Sequence, residues 1–322
     1  MLNQRMPRIV SFLPSSTEIL YELGIGNEVV GVTHECKFPD DARTKPRIIN
    51  SSFEAGKKSS AEINEKIVQL VRTGGDIYLI DEKKLKDSTP DLIIAQGVCE
   101  VCAPFTKEIE RAVSMLGYKP DVLVLDPHDL DDILISIMDI GERVGRIKEA
   151  RRIVLTLQKR MDYIIEKSTT GARIHNQTHR PKVLCIEWID PFYSAGHWVP
   201  QMVDIAGGIN GISSRGNPSR CISMQEIMQF QPDKIVLMPC GFDLDRTLRE
   251  SKILWDDEEW NSLLAVRENE VYAVNATEYF SKPGPRVIIG LEILAKITNP
   301  VQFYDLGVPQ RSFKRIRKPR VE

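Results

Sequence analysis

The chain has 322 residues, 42% of them hydrophobic and 27% charged, with a net charge of −2. That length exceeds one ordinary hydrophobic core and predicts two domains, and the near-neutral charge gives no reason to expect nucleic acid or an anionic membrane as partner. No run approaches the ~20 apolar residues that a membrane span needs. Met1–Arg8 leads straight into the apolar run Ile9–Leu13 with no apolar leader core and no lipid-anchor cysteine, which predicts a cytoplasmic protein. The six cysteines (36, 99, 102, 185, 221 and 240) are too few for a disulfide scaffold in a chain this long.

In chain order, a strand is predicted over Arg8–Leu13. Ser15 followed by Glu18 has the spacing of a capping box, and Ile19, Leu20 and Leu23 continue at helical period until Gly24 and Gly26. Val29–Thr33 reads as a strand ending at His34-Glu35-Cys36, and Lys37–Ser60 as loop. A helix over about Ala61–Arg72 precedes strands at Ile77–Ile80, Leu92–Gln96 and Val122–Leu125. Asp129–Lys167 is the longest helical pattern, either one helix kinked at Gly141 or Gly145 or two in succession, and Ser168–Arg180 reads as a flexible loop.

Lys182–Ile186 opens a second alternation. It continues with a helix over Pro200–Ala206, a helix and strand across Ser223–Met238, and a helix near Trp255–Leu264. A strand Val271–Val274 and a helix from Pro285 to about Ile297 complete it. Pro90-Asp91-Leu92-Ile93-Ile94-Ala95 and Pro232-Asp233-Lys234-Ile235-Val236-Leu237 repeat one pattern, a Pro-Asp turn and then an apolar β-branched run, each after an amphipathic stretch (Ala61–Val71 and Ser223–Phe230). The expected fold is therefore α/β, two parallel-sheet lobes joined by a long helix. The expected segments are residues 1–127, a helix 128–167, a loop 168–181, a second lobe 182–310 and a basic tail 311–322. Ligands of such sheets sit at the carboxyl ends of the strands, here in a cleft between the lobes.

Several segments, taken in order, resemble the solute-binding proteins of ABC importers for cobalamin and iron–siderophore complexes. They are Arg8 to Glu18, Val30-Gly31-Val32-Thr33 leading to Phe38-Pro39, Pro90-Asp91-Leu92-Ile93, Pro191-Phe192-Tyr193-Ser194-Ala195-Gly196-His197-Trp198, Gln231 to Val236, and Pro283-Gly284-Pro285-Arg286-Val287. The Gly-His-Trp and Pro-Gly-Pro-Arg segments look closest to the cobalamin-binding branch. The resemblance implies a helical-backbone, periplasmic-binding-protein-like fold that binds a corrinoid or metal chelate reversibly, without catalysis and with no required cofactor, and that delivers it to an ABC permease. The cysteine pair and the missing export signal set the chain apart from exported relatives.

A flat macrocycle needs aromatic faces and a few polar groups. Trp188, Phe192 and Trp198 follow the strand Val183–Ile186, with Gly196 and His197 between them, and Tyr279 and Phe280 follow Val271–Val274. These are either pocket walls or lobe core. Ser15 and Ser16 begin a helix whose free N–H groups suit an oxygen ligand, or they are plain caps. Glu35, Cys36 and Gln96 end neighbouring strands. Cys99 and Cys102, with Cys36 and His34, have the makings of a zinc site or a redox pair, or are structural thiols. The competing readings are an iron–siderophore or haem ligand, and a thiol-dependent enzyme acting through Cys99 and Cys102.

Overall fold

The computed structural model describes residues 6–97, 106–174 and 180–318. They divide into two compact units, one holding residues up to 58, 65–127 and 131–156, the other 59–64, 128–130 and the chain from Leu157 onward.

The first unit is a six-stranded sheet made of β1 (Ile9–Ser11), β2 (Val29–Thr33), β3 (Arg47–Ser51), β4 (Tyr78–Ile80), β5 (Leu92–Gln96) and β6 (Asp121–Leu125), in the order β4-β3-β2-β1-β5-β6. Its helices include α1 (Pro14–Glu22), α2 (Ser60–Thr73) from Glu65 onward, α3 (Glu82–Ser88), α4 (Thr106–Leu116) and α5 (Leu130–Arg143) from Asp131 onward, the first residues of α2 and α5 belonging to the second unit. Strands β1 and β5 lie at the centre and are buried throughout, so they read as continuous apolar runs, whereas the edge strand β4 is only partly buried. Val10, Phe12, Ile48, Ile49, Ile93 and Ala112 form the core.

The helix α6 (Ile147–Ile174) follows. The second unit's sheet contains β7 (Val183–Trp188), β8 (Tyr193–Ser194), β9 (Arg220–Cys221), β10 (Lys234–Leu237), β11 (Val271–Val274) and β12 (Phe313–Ile316), in the order β12-β11-β10-β7-β8-β9. Its helices are α7 (Val199–Ile205), α8 (Met224–Phe230), α9 (Leu244–Glu250), the short α10 (Glu258–Ser262), α11 (Leu264–Arg267) and α12 (Ala276–Tyr279), and α13 (Val287–Thr298). Trp260, Ile186, Leu184, Ile235 and Leu237 are in its core.

The repeated Pro-Asp pattern is one structural device used in both units. Helices α3 and α8 each end on a residue in the left-handed region, Thr89 (φ 38) and Gln231 (φ 52). The Asp91 carboxylate then accepts the Arg8 backbone N–H at 2.8 Å, and the Asp233 carboxylate accepts that of Lys182 at 2.7 Å. The next backbone N–H, of Leu92 or Lys234, donates to the carbonyl of the same Arg8 or Lys182 at 3.2 and 3.1 Å. Each aspartate thus fixes the register between the first strand of its sheet and the strand it introduces.

Several expectations are corrected. Both sheets are mixed, because β3 pairs antiparallel with β4, β7 with β8, β8 with β9, and β11 with β12. The helix before Pro90 is α3, and the stretch read as loop contains β3, whose Ile48 and Ile49 are fully buried. The long helical pattern is two helices. Gly145 adopts φ 70 and Arg146 N–H returns to the Gly141 carbonyl, a left-handed C-terminal stop, while a Cβ at Gly141 would fall 2.3 Å from the Ala150 methyl. Helix α6 then runs past Ser168 into the expected loop. Part of the expected basic tail, Phe313–Ile316, forms β12, since Ile316 enters the core and Phe313 sits against Tyr272.

Candidate functional site

In the first unit, the carboxyl ends of β1 and β2 carry small hydroxyls and a thiol. Ser11 Oγ donates to the Leu13 carbonyl at 2.8 Å and lies 2.6 Å from Ser16 Oγ. Thr17 Oγ1 donates to Ser11 Oγ at 2.8 Å and sits 3.1 Å from Cys36 Sγ, which is also 3.4 Å from Thr33 Oγ1. Ser11, Ser16 and Thr17 are fully buried and Cys36 is 3% exposed, so this network closes the strand–helix turn from within. The expected capping box is not formed. Pro14, with its fixed φ, occupies the first turn, Leu13 takes the N-cap position, and Ser15 and Ser16 fall inside the helix.

Glu35 lies beside this network. Its carboxylate holds Lys37 at 3.2 Å and stands 3.7 Å from His34 Nε2. Burial holds the His34 imidazole below its ordinary pKa, against the opposing pull of Glu35, which keeps the ring neutral at physiological pH. Gln96 ends β5 and is buried. Of the expected metal ligands, Cys99 and Cys102 lie outside the described residues. Cys36 is engaged by the two threonines, and among the described residues no group of three potential ligands converges.

The second unit presents aromatic chemistry at the ends of β7 and β10. Trp188 is half-buried; its indole N–H donates to the Ser60 carbonyl at 3.1 Å, and its ring meets the Phe242 edge at 5.3 Å. The other expected aromatics pack inward. Phe192 stacks on the fully buried Trp260 at 5.7 Å. Trp198 is 6% exposed and donates its indole N–H to the Phe280 carbonyl at 2.9 Å. Tyr279, its pKa pushed up to about 12 by burial and then by Glu278, is equally enclosed, and so is Phe280. Gly196 has a steric reason, because a Cβ there would lie 2.3 Å from the Ser219 backbone nitrogen. His197 takes φ 53, donates its backbone N–H to the Asn217 carbonyl at 2.6 Å, and places its ring 5.6 Å from Trp198 and 6.3 Å from His128.

Two residues absent from the sequence expectation join Trp188. Phe242 follows the turn after β10, and the Arg246 guanidinium carbon sits 3.8 Å above its ring centre. The rule that pointed to Trp188, residues just past a strand's carboxyl end, reaches Phe242 as well. Arg246 lies a helical turn further and needed the α9 geometry.

A family model described as periplasmic binding protein matches residues 9–277, which is most of the chain. The chain belongs to the periplasmic binding protein family. It is 24% identical over 302 residues to an uncharacterized ABC transporter substrate-binding lipoprotein, YvrC, of Bacillus subtilis, covering 92% of this chain and 81% of that one. It is 21% identical over 288 residues to a vitamin B12-binding protein of Vibrio cholerae, covering 88% and 86%. Among solved structures, the periplasmic heme-binding protein RhuT of Roseiflexus in apo form superposes with a TM-score of 0.65 at 20% identity, over 93% of this chain and 98% of that chain. The family's two-sheet α/β fold is therefore the fold of this chain. Among the described residues no helix is long and apolar enough to cross a membrane.

Proposed function

We propose that this protein is a substrate-binding protein for a flat, metal-centred tetrapyrrole, cobalamin or a related corrinoid in the first instance, and that it passes the ligand to an ABC permease without transforming it. The observation that carries this reading is the family match over residues 9–277. It is supported by the relatives' names, which include vitamin B12-binding proteins, and by the half-buried Trp188 face at the end of a parallel strand, where α/β sheets hold their ligands. Haem is the second reading, favoured by the fold shared with heme-binding proteins. Titration with cyanocobalamin and with haemin, followed by tryptophan fluorescence and calorimetry, tests both. Saturable quenching that weakens in Trp188→Ala supports the proposal, and no heat of binding with either macrocycle overturns it.

A further inference from the structure

The near-neutral charge of the whole chain conceals a local excess at the start of α6. Residues 142–155 hold five lysines and arginines against two glutamates. Of the five, Arg143 is tied to Asp121 at 2.5 Å and Arg146 to Glu149 at 3.6 Å. Lys148, Arg151 and Arg152 are exposed and have no acidic partner among the described residues. Their spacing is unfavourable for the helix itself. Arg151 and Arg152 stand three and four residues after Lys148, so the three crowd one side of α6, where like charges repel. Lys148 also lies in the first turn, the end of the helix dipole that disfavours a cation. On that same side Ile147 is 39% and Leu155 is 55% exposed, while Ala150, facing the other way, is fully buried. Leu155 falls four residues after Arg151 and three after Arg152, which seats it beside both stems on the helix surface. A face that met only water would bear this repulsion without relief and gain nothing from the two apolar side chains set within it. An anionic lipid surface answers both: its phosphates neutralise the cations, and its acyl boundary takes Leu155 and Ile147. Residues 147–155 carry no aromatic side chain of the kind that anchors a protein partner.

We propose that the exposed face formed by Ile147, Lys148, Arg151, Arg152 and Leu155 docks the protein on an anionic lipid surface. The start of α6 meets the lipid along its side, the cations at the depth of the phosphates and the two apolar side chains just below them. The inference stands apart from the choice of macrocycle, because none of these residues belongs to the strand ends of β7 and β10.

Sedimentation of the full chain with vesicles of phosphatidylglycerol and phosphatidylcholine in equal parts, against vesicles of phosphatidylcholine alone, tests the assignment. The wild type should pellet with the anionic vesicles, stay in solution with the neutral ones, and come off as salt is raised. Arg151→Gln, Arg152→Gln and Lys148→Gln should each weaken partitioning about fivefold, the worth of one cation near such a surface. Leu155→Ser should weaken it at low and at high salt alike, because the lost contact is apolar. Thermal unfolding checks that each variant is folded; should one unfold, the wild type's preference between the two vesicles still decides the matter. No pelleting with the anionic vesicles at low salt overturns the proposal. So does equal pelleting with the neutral ones, or pelleting that the three charge variants leave unchanged. Capture on immobilised polyglutamate without binding to either vesicle also overturns it, and gives the face to an acidic polypeptide instead.

Discussion

The two sheets end differently although they are built alike. Where β1 and β2 finish, the side chains are serine, threonine and cysteine, buried and bonded to one another. Where β7 and β10 finish, they are tryptophan, phenylalanine and arginine in ring-to-ring and ring-to-cation contact. The shared scaffold of aspartate-anchored central strands sets where a site can be, and the side chains past the strand ends set what it can do. The first unit spends its polar groups on its own backbone. The second places a half-buried indole, a phenylalanine ring and an arginine stacked on that ring at its strand ends.

Four substitutions sharpen that contrast. The largest effect is expected for Trp260→Ala, which empties the core under Phe192 and should cost about 3–5 kcal/mol in urea unfolding. In the hydroxyl network the isosteric Thr17→Val should cost about 1–3 kcal/mol, because Ser11 and Cys36 lose a buried neighbour without any change in volume. A cost near zero would mean that the network is ornamental. Gly145→Ala forces a side chain into the left-handed stop between α5 and α6 and should cost about 1–2 kcal/mol by the same assay.

The fourth is a pH effect at β12. Burial raises the Glu270 pKa, but Lys234 at 2.6 Å, Tyr272 at 2.8 Å and Arg315 together hold it below its ordinary value. A depressed carboxyl stabilises the fold above its unfolded pKa, and that stabilisation drains away as pH falls through the folded value. The urea midpoint should therefore drop as pH is lowered below about 4.3, the usual glutamate pKa, and Glu270→Gln should flatten that slope. An unchanged acid slope in the variant would remove Glu270 from the account.

Much of the architecture was legible because it lies in apolar period. The central strands β1, β5, β7, β10 and β11 are buried runs and were placed within a residue or two. What escaped was set by context. The spacing Ser-x-x-Glu gives no capping box at Ser15–Glu18 but gives one at Ser223–Glu226, because Pro14 starts α1 before Ser15 can cap it and nothing comparable precedes Ser223. Strand β3 hid in a segment whose prolines and charges read as loop, although Ile48 and Ile49 are core. At the site, Trp188 could be reached from strand ends alone. The inward turn of Phe192 and Trp198 depended on partners far along the chain, Trp260 and the Phe280 carbonyl. Arg246 became visible only once the cap on α9 fixed its direction.

The placement of β1 and β12 bears on how the molecule resists being pulled. Strand β1 is flanked on both sides by parallel neighbours and tethered at Arg8 by Asp91, so a load applied near Pro7 must shear two ladders at once. Strand β12 borders a single antiparallel partner at the rim, so a load beyond Lys318 opens its ladder one rung at a time. A surface tether for single-molecule work will therefore report a strong amino-terminal grip and a weak carboxyl-terminal one.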